Sequence, residues 1–255
     1  MAVTPYFIAE AGVNHGGSFD EALRLIDAAK EARADAVKFQ LFDYKLLKRP
    51  ALQPLQLGRN AISDLKDYAA FKLIDFLCTP FDPGAVEFLK ELGVKKLKLG
   101  SGAIFDTALR RAASDTGLPI IMSTGMATLE EVGVALLGLG DVTLLHCTSA
   151  YPTPLDAVNL RAMDTLAVTF NRAVGYSDHT ANADVLVAAA VLGAEVIEAH
   201  ITRDRTQSGP DHWASYEPLA LKHAIQRIRQ VGLYLGSGEK VPQQCEQPAR
   251  KVWAA

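Results

Sequence analysis

Short apolar runs alternate along the chain with longer stretches whose apolar positions recur every three or four residues. The first pattern is that of a buried strand and the second that of an amphipathic helix. Eight such cycles can be counted. Strands are predicted at 6–10, 36–40, 73–79, 96–99, 119–123, 142–146, 173–177 and 196–200, and the clearest helices at 19–33, 84–92, 129–139, 181–192 and 218–235. Ser18 and Thr128 precede two of the helices, each with a glutamate three residues on (Glu21, Glu131), the spacing of a capping box. Gly93 and Gly193 follow helix ends, where a left-handed residue stops the helix.

Alternating strands and helices point to an α/β fold with a parallel sheet, and eight units are the number that closes into a (β/α)₈ TIM barrel. The length of 255 residues agrees with one such barrel. An open doubly wound sheet is the alternative, but its first turn normally reads GxGxxG, and GVNHGG does not. The expected division is a catalytic barrel over 1–240 and a linker-like tail over 241–255. The longest irregular connection, about 44–60 with Pro50 and Pro54, is expected over the top face.

Composition narrows the classes. Apolar residues make up 49% and charged residues 22%, a balance that excludes disorder. With 26 basic against 29 acidic residues the formal charge is −3, which offers nothing to nucleic acid or an anionic membrane. No apolar run approaches the roughly 20 residues of a membrane span, so a cytoplasmic location is expected. Cys78, Cys147 and Cys245 lack CxxC spacing, which suits a reducing compartment and excludes a cysteine-based zinc module.

In a TIM barrel, chemistry sits where strands end, and each predicted strand ends in reactive residues. Strand one ends at Glu10, followed by Asn14 and His15. Lys38 and Gln40 share one face of strand two. Strand three ends at Thr79, strand four at Lys98 with Ser101 in a GSG turn, and strand five at Ser123. Strand six leads to His146, Thr148 and Tyr151, strand seven to Ser177, Asp178 and His179, and strand eight to His200. Two lysines facing the interior require an anionic partner. A small phosphate-bearing acid would serve, cradled by Lys38, Lys98, Thr79, Ser101 and Ser123; alternatively each lysine pairs with a barrel carboxylate such as Glu10 or snorkels out to solvent. His179 and His200 can converge across the mouth, a weak metal signal by itself, with Asp178 and Asp211 as supporting partners or bases.

The blocks AEAGVNHGG, AVKFQ, CTPFD, KLGSG, MSTGM, LLHCTSAYPTP, GYSDHT, IEAHIT and GPDH resemble the sialic acid synthase family in order and spacing over about 8–240. The resemblance implies condensation of phosphoenolpyruvate with N-acetylmannosamine or a related aldehyde sugar to a 2-keto acid, with release of phosphate. It implies Mn²⁺ or Mg²⁺ bound by His179 and His200. It assigns Lys38, Thr79, Lys98, Ser101, Ser123 and Ser177 to phosphoenolpyruvate, Glu10 and Gln40 to the reacting carbons, and Tyr151 and Asp211 to the sugar.

Departures from the family pattern gather on the sugar side. Ala103 stands where GSGE carries a glutamate, and Ser149 where asparagine is common in the substrate pocket. The family usually continues after RKV into an antifreeze-like domain, whereas this sequence ends at Ala255. The expected function is a synthase with an altered acceptor, and a homodimer is one admissible assembly. A metal-dependent aldolase and a non-catalytic barrel that binds a phosphorylated metabolite are the alternatives.

Overall fold

A computed structural model describes residues 4–253. The strands are β1 (Tyr6–Gly12), β2 (Ala36–Leu41), β3 (Asp75–Pro80), β4 (Leu97–Leu99), β5 (Ile120–Ser123), β6 (Val142–His146), β7 (Val174–Asp178) and β8 (Val196–His200). They form one parallel sheet in the order β3-β2-β1-β8-β7-β6-β5-β4. β3 and β4 pack against each other and complete the ring. The architecture is the expected (β/α)₈ barrel.

The helices between strands are α1 (Phe19–Glu31), α2 (Arg59–Phe71), α3 (Pro83–Glu91), α4 (Thr107–Asp115), α5 (Leu129–Leu136), α6 (Ala162–Phe170) and α7 (Ala183–Val191), with α8 (Pro218–Leu235) after the last strand. The capping box at Thr128 and Glu131 is complete. At α1 only half forms: Ser18 Oγ accepts from the Glu21 N–H, while the Glu21 carboxylate turns to Arg24 and Arg203. Gly93 and Gly193 both take positive φ, as expected of residues that end helices. The 44–60 connection is less irregular than the sequence suggests, since Pro50–Leu55 forms a 3₁₀ turn and α2 begins at Arg59. Beyond α8, Gln244–Glu246 makes a 3₁₀ turn and Gln247–Trp253 a short helix, α9, with no buried residue. No helix among the described residues is long and apolar enough to cross a membrane.

The barrel interior is layered by the two-residue period of its strands. Ile8, Ala36, Leu77, Ile121, Leu145 and Val196 form a dry apolar cluster. Two residues further along each of those chain segments stand Glu10, Lys38, Thr79, Ser123, Cys147 and Glu198, all buried. The apolar layer thus seals the barrel beneath a layer that carries the chemistry. Burial of the larger aliphatic cluster between strands and helices holds this frame.

Candidate active site

A cavity of about 670 Å³ opens above the polar layer, at the C-terminal ends of the strands. Every catalytic, substrate and metal residue expected from the sequence lines it: Glu10, Lys38, Gln40, Thr79, Lys98, Ser101, Ser123, Ser149, Tyr151, Ser177, His179, His200 and Asp211. Leu47, Arg49 and Leu52 of the 44–60 connection complete one wall, so that segment does lie over the top face.

Four charged groups form its floor. Lys38 Nζ is 2.7 Å from Glu10 Oε2 and 3.6 Å from Glu198 Oε2, and Lys98 Nζ is 3.6 Å from Glu198 Oε1. Both lysines are thus neutralised by barrel carboxylates, and a ligand is not required as their counter-charge. Lys38 also donates to Thr79 Oγ1 at 3.2 Å, and Lys98 to Ser123 Oγ at 2.8 Å and to the Leu99 carbonyl at 3.3 Å. Burial depresses the Lys38 ammonium, but Glu10 and Glu198 outweigh it and leave the lysine above its ordinary value. Burial prevails at Lys98, which is held below its ordinary value despite Glu198. Burial pushes the Glu198 carboxyl up, yet Lys38, Lys98 and His200 bring it down to about 2. Glu198 is the residue that the sequence reading missed. It shares a strand face with His200 by the same period-two rule that joins Lys38 and Gln40, and only attention to strand ends concealed it.

Two glycines let side chains converge. Gly12 has φ of +52°, and a Cβ there would stand 3.2 Å from Glu10 Oε1, 3.3 Å from Asp211 Oδ2 and 3.3 Å from Gln40 Nε2. Gln40 Nε2 donates to Glu10 Oε1 at 2.9 Å. A Cβ at Gly125 would meet Ser149 Oγ at 2.3 Å, Ser101 Oγ at 2.9 Å and Cys147 Sγ at 3.0 Å. The Gly125 N–H donates to Ser101 Oγ at 3.0 Å, which fixes that hydroxyl against the cavity.

On the rim, the His179 and His200 rings lie 5.5 Å apart, centroid to centroid, and the Tyr151 ring packs 4.1 Å from His179. His179 Nδ1 stands 2.8 Å from the Thr148 carbonyl. A carbonyl only accepts, so Nδ1 carries the proton and Nε2 presents a lone pair. Burial and the neighbouring His200 hold the His179 imidazole down to about 3, hence neutral at physiological pH. Among the described residues, His200 Nδ1 is buried without a hydrogen-bond partner, 3.6 Å from Asp211 Oδ2, and no three His, Cys, Asp or Glu side chains group as a closed metal shell. The neutral His179 imidazole, the orphaned His200 nitrogen and adjacent oxygen donors fit a divalent ion that completes its coordination with substrate and water.

Other strand-end residues turn away from the cavity. Asp178 accepts from Thr180, Ala181, Tyr176 and Tyr216, so it fastens the loop after β7 and has no role as a base. His146 is bonded through Nε2 to the Val158 carbonyl, outside the main cavity. His15 Nδ1 accepts from the Gly17 N–H. Ala103 is buried in the 3₁₀ turn Ser101–Phe105 and lines the cavity, while Arg110 donates to its carbonyl at 2.9 Å and to that of Ile104.

The NeuB family model matches residues 25–240. N,N'-diacetyllegionaminic acid synthase of Legionella pneumophila is 41% identical, across 98% of this chain and 79% of that protein. The human N-acetylneuraminate-9-phosphate synthase is 36% identical, across 94% of this chain and 74% of its own length. The crystal structure of the N-acetylneuraminic acid synthetase from Leptospira borgpetersenii serovar Hardjo-bovis, in complex with citrate, superposes with a TM-score of 0.90 and 36% identity, covering 98% of this chain and 92% of that one. The chain belongs to the NeuB family.

Proposed function

We propose that this protein is a synthase that joins phosphoenolpyruvate to an aldehyde sugar, giving a 2-keto-3-deoxy sugar acid and inorganic phosphate. The observation that carries it is a pair of buried lysines at the base of a hydroxyl-lined cavity with two facing histidines on its rim. The relatives' names, a diacetyllegionaminic acid synthase, an N-acetylneuraminate-9-phosphate synthase and an N-acetylneuraminic acid synthetase, agree with it.

In this reading Lys38, Lys98, Thr79, Ser101, Ser123 and Ser177 hold the carboxylate and phosphate of phosphoenolpyruvate, and the Gly125 N–H keeps Ser101 in place. The aldehyde lies above it, among Tyr151, Ser149, Asp211 and Ala103. C3 of phosphoenolpyruvate forms the new bond to the aldehyde carbon, and positive charge develops at C2. Glu10, oriented by Gln40, stabilises that charge and accepts a proton from the water that adds to C2. The resulting hemiketal phosphate breaks its C–O bond and releases phosphate. His179 and His200 would hold a Mn²⁺ or Mg²⁺ ion, which when bound would supply Lewis-acid polarisation to the aldehyde. A cytoplasmic location agrees with the free thiols of Cys78 and Cys147, and light scattering would test for a homodimer.

The deciding experiment measures phosphate release from phosphoenolpyruvate with Mn²⁺ and a panel of aldoses, with the product identified by mass. Carbon–carbon bond formation without phosphate release would indicate an aldolase. No turnover with any aldehyde, but binding of phosphoenolpyruvate, would indicate a non-catalytic barrel.

A further inference from the structure

Glu198 contacts both lysines in an unusual way. Its 3.6 Å approaches to Lys38 and Lys98 are ion pairs without hydrogen bonds, looser than the 2.7 Å ion pair between Lys38 and Glu10. Ser177 Oγ donates to Glu198 Oε1 at 3.0 Å, whereas Glu198 Oε2 is buried with no hydrogen-bond partner among the described residues. An ammonium has three N–H donors. Lys98 gives two, to Ser123 and Leu99, and Lys38 gives one, to Thr79, with Glu10 Oε2 beside it at 2.7 Å as an ion pair. At least one donor on each lysine remains, and Glu198 offsets positive charge on both without taking either donor. The two lysines are also unequal: among the described residues Lys38 has a second carboxylate within 4 Å, and Lys98 has only Glu198.

We propose that Glu198 is a positioning residue and resident counter-ion, acting through Lys38 and Lys98 to keep the lysines charged and separated while moderating the hold on the anionic substrate and on released phosphate. This rests on the function proposed above. With Glu198 uncharged, Glu10 would still face Lys38 but Lys98 would stand uncompensated, and the pocket would bind substrate and product phosphate alike more firmly; uniform tightening of that kind raises affinity without lowering the chemical barrier. A carboxylate placed about 6 Å from a unit negative charge on the ligand, at an effective dielectric of about 20, would oppose binding by up to roughly a hundredfold, so a roughly tenfold change lies well within its reach.

The test is Glu198→Gln, which removes the charge but retains an oxygen to accept from Ser177. Calorimetry at mildly acidic pH, where both ammonium groups stay charged, would measure phosphoenolpyruvate and, separately, inorganic phosphate. Both should bind roughly tenfold more tightly than to wild type. In the steady state KM for phosphoenolpyruvate and kcat should fall together, with stronger inhibition by phosphate. A residue needed only for shape gives the opposite sign, so weaker or unchanged binding of phosphate overturns the proposal. If wild type binds phosphate but not phosphoenolpyruvate, the proposed function fails, and the phosphate comparison still decides the role of Glu198. Should Glu198→Gln not fold, recovery of the fold in Glu198→Gln/Lys98→Met supports charge compensation, and an equally unfolded double variant overturns it.

Discussion

The Nδ1 atom of His179 lies 2.8 Å from the carbonyl oxygen of Thr148, and that one contact sets the chemistry of the ring. Thr148 is itself anchored, because its hydroxyl donates to the Ala157 carbonyl at 2.7 Å. The imidazole therefore holds one tautomer and presents Nε2, an arrangement in which a fixed outer partner raises the basicity of a metal-binding nitrogen. Replacing His179 or His200 by Ala should weaken Mn²⁺ binding by more than the roughly 10- to 100-fold that loss of an outer partner alone costs. Titration of free Mn²⁺ by electron paramagnetic resonance reads this without any turnover. Wild-type Mn²⁺ affinity in both variants would remove the metal from the proposal.

Lys38 and Lys98 should differ in stability while agreeing in affinity. Lys38→Met strips Glu10 of its 2.7 Å partner, and breaking a buried pair costs about 3–5 kcal/mol. Lys98→Met should cost less, because Glu198 keeps Lys38 as a counter-charge. Each substitution should raise the dissociation constant of phosphoenolpyruvate at least about tenfold, equivalent to about 1.4 kcal/mol. Urea denaturation and calorimetry measure the two effects separately. Equal stability losses would contradict the asymmetry, and unchanged affinity in both would contradict the assignment to substrate.

His15 should make the fold labile to acid. Burial lowers its imidazole to about 4, against the opposing pull of the Gly12 carbonyl, and an unfolded chain titrates near its ordinary value of about 6.5. Between those values the unfolded state carries the extra proton. The stabilisation is therefore complete above about pH 6.5 and is lost as pH falls towards about 4, at up to about 1.4 kcal/mol per pH unit. His15→Gln keeps an acceptor for the Gly17 N–H and should flatten that part of the profile. The difference between the two proteins' denaturation midpoints should change across this range, wild type losing stability relative to the variant as pH falls. Parallel profiles for the two proteins would show that His15 does not titrate as described.

The sequence made the barrel legible because each strand is short, apolar and followed by a helical period, and the barrel's layers repeat the period of two. Lys38 and Gln40 were readable for that reason. Glu198 was not, because it stands in the middle of β8, away from the strand end where barrel chemistry is expected. The need for an anion near the lysines was correctly inferred from the cost of burying them, but no rule of spacing told whether a ligand or the chain would supply it. That depended on the register that places Glu10 beside Lys38 and on the side-chain reach of Glu198. Asp178 shows the opposite limit. It adjoins His179 in sequence, yet alternation along β7 sends it to the outer face, towards Tyr176 and Tyr216.

Ala103 carries the last prediction, which concerns the acceptor. The residue sits buried in the turn after β4 and lines the cavity next to Ser101, so a carboxylate at this position would project towards whatever binds above phosphoenolpyruvate. Alanine offers no acceptor there, and its carbonyl is already occupied by Arg110. A hydroxyl or amide on the sugar that needs a charged partner loses about 1.5–3 kcal/mol of recognition, or roughly ten- to 150-fold. The floor of the pocket keeps every group expected to hold phosphoenolpyruvate, so the loss falls on one substrate alone. N-acetylmannosamine should therefore be a poor acceptor for this chain, and another aldose or an aldose phosphate a better one. Ala103→Glu should narrow the difference by raising kcat/KM for N-acetylmannosamine while leaving KM for phosphoenolpyruvate within about twofold, a shift of roughly 0.4 kcal/mol. Steady-state rates with a panel of acceptors, for both proteins, provide the comparison. If N-acetylmannosamine is the best acceptor of the native chain, with kcat/KM of about 10⁴ M⁻¹s⁻¹ or more, then position 103 does not select the sugar.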